Sequence, residues 1–182
     1  VVGGKRAGIT CSVTYGKLAF IGAVIVHPDV RGKHVGEALM KSTLDYLDGK
    51  GVETARLNAY LNVVPFYERL GFRGEYENVR YHGNVRASGT AGAGRTATPE
   101  DLPAIAHFDS FYFGASRERL LARLLQEFPQ HFLVARDEGG IRGYIVANAD
   151  AGAVEIGPWV ANPTLPDVAG DLLHGLLSRL GP

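Results

Sequence analysis

The chain reads as a mixed α/β protein of the α+β kind: a mostly antiparallel sheet flanked by helices, in two tandem, incomplete copies. Three observations predict this. "GKRAGITCSVTYGKLAFIG" (4–22) lies without a gap over "GGIRGYIVANADAGAVEIG" (139–157). In each copy, runs with strand periodicity lead into a run with helix periodicity. Between the copies lies "GNVRASGTAGAG" (83–94), too rich in Gly and Ala to bury a core and therefore a linker.

Each element has its own signal. Residues 5–15 and 18–26 predict two strands around a turn at Gly16-Lys17. "VGEALMKSTLDYL" (35–47) predicts an amphipathic helix with Val35, Leu39, Thr43 and Leu47 on one face. Residues 53–60 predict a strand, and "VPFYERL" (64–70) a short helix ended by Gly71. "FRGEYENVRY" (72–81) predicts a last strand that pairs back. In the second copy, 99–113 and 116–128 predict helices, 131–136, 141–149 and 154–161 strands, and 167–180 a helix.

The register of the repeat also marks what differs. Gly8 falls on Gly143, Ile21-Gly22 on Ile156-Gly157 and Pro28 on Pro163. Past that point Val35 falls on Val168 and Leu39 on Leu172, so the second copy has lost two residues in between. Its start, at Arg95, has no counterpart in the first copy, which on this reading lacks about 40 residues at its front. The second copy lacks a match to 50–81. The expected organisation is 1–82, a domain without its N-terminal part; 83–94, the linker; and 95–182, a degenerate domain without its C-terminal part.

Composition excludes some functions. Lys and Arg number 19, as do Asp and Glu, and the basic residues are scattered. That argues against a nucleic-acid partner or a membrane surface. No apolar run reaches the roughly 18 residues of a membrane span. Cys11 is the single cysteine, which excludes an internal disulfide and a cysteine-built zinc site and fits a reducing, cytoplasmic setting. No metal site is expected.

The stretch with chemistry in it is "HPDVRGKHVGEALM" (27–40), a strand end, a loop and a helix start. The first amides of a helix lack internal partners and carry the positive end of its dipole, so an anion, typically phosphate, is accommodated there. Arg31 and Lys33 add charge, and Gly32 and Gly36 let backbone approach a ligand. The same residues also make an ordinary solvated turn. The Gly-Lys-Ser/Thr end of a P-loop and the G-x-G-x-x-G of a dinucleotide site are both absent.

"VIVHPDVRGKHVGEAL" resembles the acetyl-coenzyme A loop of the GCN5-related N-acetyltransferases, and "PFYERLGF" (65–72) resembles that family's second signature. The resemblance covers 1–81; 95–182 is similar, more weakly, to the front of a second such domain, through "EIGPWVA". It implies acetyl-coenzyme A as co-substrate and an amine-bearing acceptor, attacked directly in a ternary complex. It implies that Val24, Ile25 and Val26 offer backbone groups to the pantetheine arm, where the strand splays from its neighbour. It further implies that Arg31, Gly32, Lys33, His34, Val35, Gly36 and Glu37 cradle the pyrophosphate. Tyr67 matches a common general acid, with a core aromatic as the alternative. His34 stands where the family has its first glycine, and Tyr60 where it often has asparagine. No residue stands out as general base: His27 sits in a turn, and His82, His107, His131 and His174 have no partner spacing. In the second copy, "NPTLPDVAGDLL" lacks Arg-Gly and has Pro166, so pyrophosphate binding is expected to be lost there. Trp159 and the aromatics at 111–113 read as core rather than pocket. A sensor that binds coenzyme A or another phosphorylated ligand without turnover is the alternative function.

Overall fold

Alternation around Gly16, whose φ of 64° makes a tight turn possible, folds β1 (Gly8–Tyr15) and β2 (Leu18–Val26) into an antiparallel hairpin. The computed structural model describes residues 3–83, 94–149 and 154–180, in two units, Val1–Tyr81 and His82–Pro182. The expected linker lies, except for its ends, outside the described residues.

In the first unit, α1 (Val35–Asp48) crosses over from β2 to β3 (Thr54–Leu57), which pairs parallel to β2, giving the order β1-β2-β3. A short α2 (Val64–Glu68) follows, and its last turn stops at Gly71, φ 91°. α1 lays Met40 and Leu47 on Ala19 and Ile21, and Thr43 is buried on the same helix. Burying one such leucine contributes about 1.5–3 kcal/mol. The expected stripe is corrected here: Met40 is fully buried, while Val35 and Leu39 are half-buried on its flank. A strict four-residue step drifts around a helix with 3.6 residues per turn, so the buried stripe mixes steps of three and four. The buried Thr43 hydroxyl donates to the Leu39 carbonyl at 2.8 Å.

The expected strand at 72–81 does not form. From Arg73 on, the segment is exposed and meets the β3 region through side chains, Arg56 Nη2 of β3 to Glu75 Oε1 at 3.4 Å and Asn78 Nδ2 to Oδ1 of Asn58, just past β3, at 2.9 Å. Alternation supplies a strand's faces, but a ladder needs a partner backbone within reach, and among the described residues none pairs with it. The strand expected at 53–60 likewise ends at Leu57, because the chain turns away into a 3₁₀ turn at Leu61–Val63.

In the second unit β4 (Arg95–Thr96), β5 (Phe132–Asp137), β6 (Gly140–Asn148) and β7 (Glu155–Ala161) form an antiparallel sheet in that order. α3 (Leu102–Phe113) and α4 (Glu118–Glu127) cover the face carrying Phe132, Val134, Tyr144 and Val146. α5 (Pro166–Leu177) covers the opposite face, with Leu133, Ile145 and Ala147. Phe111 and Trp159 correct another expectation: they are 82% and 42% exposed, not core. α3 turns Ile105, Ala106 and Asp109 to the sheet and leaves Phe111 outward.

The repeat holds at the level of hydrogen bonds. Gly8 pairs with Val26, and Gly143 with Ala161. The His27 amide donates to the Ala7 carbonyl at 2.8 Å, and the Asn162 amide to the Arg142 carbonyl at 2.9 Å. Each hairpin is bulged at the matching place: Gly22-Ala23 oppose Cys11, and Gly157-Pro158 oppose Val146.

Candidate active site

The bulge at Gly22-Ala23 decides what β2 can do. Below it, β2 pairs with β3 from Leu18–Thr54 to Ile21–Leu57. Above it, Val24, Ile25 and Val26 pair only with β1, so their other edge faces no strand among the described residues. Antiparallel pairing alternates the direction of backbone groups. Since His27 and Ala7 form a hydrogen-bonded pair, Ile25 turns its amide and carbonyl to β1, and Val24 and Val26 turn theirs to the open edge. Arg31 Nε already donates to the Val26 carbonyl at 3.2 Å.

The loop from that edge to α1 is built in two steps. A 3₁₀ turn, Pro28–Val30, begins at His27, whose Nδ1 accepts from the Asp29 amide at 3.3 Å. Then Gly32 and His34 both take positive φ, 73° and 57°. Among the described residues His34 is the sole non-glycine to do so. The left-handed region costs an ordinary residue roughly 1–2 kcal/mol, and histidine enters it more readily than most. His34 is the N-cap of α1, and the first bond of the helix is Ala38 N–H to the His34 carbonyl at 3.0 Å. The amides of Val35, Gly36 and Glu37 precede that bond and are the unpaired donors of the helix start.

Glu37 is bracketed by bases. Lys41 Nζ donates to its Oε1 at 2.8 Å, and His34 Nδ1 lies 3.1 Å from Oε2. Lys41 first, and then His34, hold this carboxyl below the ordinary carboxylate range. Gly36 faces the interior: a Cβ there would meet Phe66 Cζ and Val26 Cγ2 at 3.5 Å. The strand edge, the helix start and α2 therefore converge. Lys33 and Arg31 are exposed on the loop.

Tyr67 lies on α2, half-buried against the core that also contacts Val24. Its ring makes edge contacts with Phe66 at 5.0 Å and Phe72 at 5.9 Å. Burial pushes its phenol up, which keeps it protonated at neutral pH. Its hydroxyl has no hydrogen-bond partner among the described residues. Tyr60 is 84% exposed at the head of the turn before α2. Among the described residues, no three His, Cys, Asp or Glu side chains gather as a metal site.

The second unit repeats the first step of this loop and lacks the second. Asn162 Oδ1 accepts from the Thr164 amide at 3.0 Å, and the Leu165 amide bonds the Asn162 carbonyl at 3.0 Å. The first unit has the matching bond from Val30 to His27, at 3.1 Å. There, four residues, 31–34, separate that turn from α1, whereas α5 begins at once with Pro166. Proline has no amide to offer.

Residues that sequence reasoning passed over lie in the second unit. Arg117 Nη2 donates to Asp109 Oδ1 at 2.6 Å, its Nε to Oδ2 at 2.9 Å, and the Tyr144 hydroxyl to Asp109 Oδ1 at 2.5 Å. Asp109 and Tyr144 are fully buried. Burial, and then Asp109, push the Tyr144 phenol up. Asp109 and Arg117 are close in sequence, but Tyr144 joins them only through the sheet.

A splayed strand edge beside a helix start, repeated in degenerate form, defines a class, and family comparison agrees. The acetyltransferase (GNAT) family model matches residues 2–72, and a second acetyltransferase (GNAT) domain model matches 105–181. The chain belongs to the GNAT acetyltransferase family, with a partial domain in each unit. A Pyrococcus horikoshii protein described as a putative acetyltransferase has the same fold, with TM-score 0.68 and 22% identity over 96% of this chain. An acetyltransferase from Trypanosoma brucei is 28% identical over 42% of this chain, with TM-score 0.40. The chain spans 58% of the length of each of these two structures. No curated protein matches it. No described helix is long and apolar enough to cross a membrane.

Proposed function

We propose that the chain carries the cofactor half of an N-acetyltransferase that moves an acetyl group from acetyl-coenzyme A to a primary amine. One observation carries this reading: the open edge of β2 at Val24 and Val26 leads directly into a loop whose helix amides are unpaired. The pantetheine arm would add to that edge through amide-like hydrogen bonds, as a strand would. The pyrophosphate would take the amides of Val35, Gly36 and Glu37, with Gly32 leaving room and Arg31 and Lys33 supplying charge.

The chemistry follows from those placements. A neutral amine attacks the thioester carbonyl and forms a tetrahedral oxyanion. A backbone amide on the open edge of β2 is a fixed donor for that charge. The C–S bond then breaks, and Tyr67 gives its proton to the departing thiolate. The amine's surplus proton passes to water or to a base outside these residues. The second unit, whose loop begins its helix with proline, binds no pyrophosphate in this reading.

Hydrogen exchange with and without coenzyme A tests the assignment. Protection is expected at residues 32–37 and absent at 162–169. Protection at the second loop, or at neither, would overturn it. Thiol release from acetyl-coenzyme A across a panel of amines then separates enzyme from sensor: binding with no release for any amine supports the sensor.

A further inference from the structure

His34 is an unusual choice for its position. Its backbone is left-handed, where glycine is free of strain, yet the residue is an ionisable imidazole at the mouth of the loop. Its side chain is 86% exposed, and its one described partner is Glu37. On α1 it faces Glu37, itself held by Lys41; on the loop its neighbours are Arg31 and Lys33. The turn before carries His27 and Asp29, with Nδ1 and Oδ2 3.7 Å apart, and α2 presents the apolar Phe66 to Gly36 and carries Glu68 exposed. The matching loop of the second unit has no histidine, and no left-handed residue is described there.

A diphosphate on the amides of residues 35–37 would sit beside the Glu37 carboxylate. That carboxylate opposes the ligand unless its charge is offset. Lys41 offsets one oxygen, and the other faces His34. A protonated imidazole there donates to Glu37 and adds a positive charge beside the incoming anion. A nearby anion favours the charged form of an imidazole, and linkage makes the converse hold: protonation favours the anion. We propose that coenzyme A binding takes up a proton and that His34 is the group that receives it. This rests on the reading of the loop as the pyrophosphate site. The sign is fixed: affinity rises as pH falls through the range where imidazole titrates.

The probe is 3′-dephospho-coenzyme A. It lacks the phosphate monoester whose second ionisation falls near 6, so the ligand itself takes up no proton in the range. Titration calorimetry at pH 7.5, in two buffers of different ionisation enthalpy, counts protons directly. The wild type is expected to take up a few tenths of a proton, and to bind roughly three- to tenfold tighter at pH 6 than at pH 8. His34→Asn, which tolerates the left-handed backbone, is expected to remove both effects, and His27→Asn neither. Uptake that persists in His34→Asn, vanishes in His27→Asn, or is missing in the wild type overturns the proton coupling. Failure of the wild type to bind the probe overturns the site reading itself, and the coupling with it.

Discussion

Leu39 Cδ1 lies 2.8 Å from the point a Cβ on Gly8 would occupy, and the Ile25 carbonyl oxygen 2.6 Å from it. The second unit repeats the relationship: at Gly143 the distances to Leu172 Cδ1 and the Val160 oxygen are both 3.0 Å. Each hairpin thus uses a hydrogen in place of a side chain to admit a helix leucine. Gly8→Ala is expected to destabilise the first unit by about 1–3 kcal/mol through overpacking, and Gly143→Ala to act in the same direction by less. Urea unfolding compares them; a Gly8→Ala midpoint equal to the wild type's would refute the close approach.

Gly36→Ala should do the opposite of Gly8→Ala. A Cβ at Gly36 meets its neighbours at 3.5 Å, an ordinary contact. Its φ is not positive, and alanine is the better helix former by about 0.5–1 kcal/mol. The thermal midpoint is expected to hold or rise slightly. A fall of several degrees would show that Phe66 needs more room.

Tyr67→Phe keeps the ring contacts with Phe66 and Phe72 and removes only the hydroxyl. Coenzyme A affinity and stability are expected to stay near the parent's. The turnover number should fall by about 10²-fold, the low end for general acids, because a thiolate leaves partly unaided. Steady-state kinetics with a turning-over amine, alongside binding, decides this. Parental turnover would return Tyr67 to a packing role.

Asp101 should shape the acid limb of stability. Arg95 binds it through both oxygens at 2.6 Å, and the Thr98 amide donates to it at 2.9 Å. Arg95 first, and the Thr98 amide after it, lower its pKa from 3.8 to about 2. A depressed carboxyl stabilises the fold above its unfolded value and loses that contribution as pH falls towards the folded one. The window is therefore pH 4 down to 2, and the contribution about 2 kcal/mol. Asp101→Asn should lower stability at pH 7 by about that much and flatten this part of the curve. A mutant with an unchanged acid limb would rule the assignment out.

Asp109→Asn leaves Arg117 half-paired in the interior beside Tyr144. Breaking a buried pair from one side costs about 3–5 kcal/mol, so the second unit should unfold well before the first. Two resolved transitions in denaturant, with only the second unit's shifted, are the expected outcome. A shift under about 1 kcal/mol would mean that water reaches the pair.

Some of this was open to sequence reading because it is local. The hairpin of β1 and β2 follows from alternation around Gly16, and α1 from its apolar stripe. The loop before α1 drew attention through its glycines and the helix start that follows it, whereas the Tyr67 segment was marked only by its resemblance to a family signature. What failed depended on distant backbone: 72–81 alternates like a strand, yet among the described residues no backbone pairs with it. Phe111 and Trp159 are apolar and lie on outward faces that periodicity did not reveal.

The sequence by itself determined that a strand–loop–helix framework is repeated, with a loop two residues shorter in the second copy, since internal register is a property of the chain; its likeness to the GNAT family lay in the resemblance of two short stretches. Only the tertiary structure decided which groups of that framework are free. β3 leaves β2 after Leu57, and past the bulge at Gly22-Ala23 the amides of Val24 and Val26 turn outward while Ile25 stays with β1. The left-handed turn at His34 brings its imidazole to Glu37, and the sheet carries Tyr144 to Asp109 and Arg117. Each of these depends on where a second strand or helix lies, because a backbone amide is free or paired only relative to its neighbour.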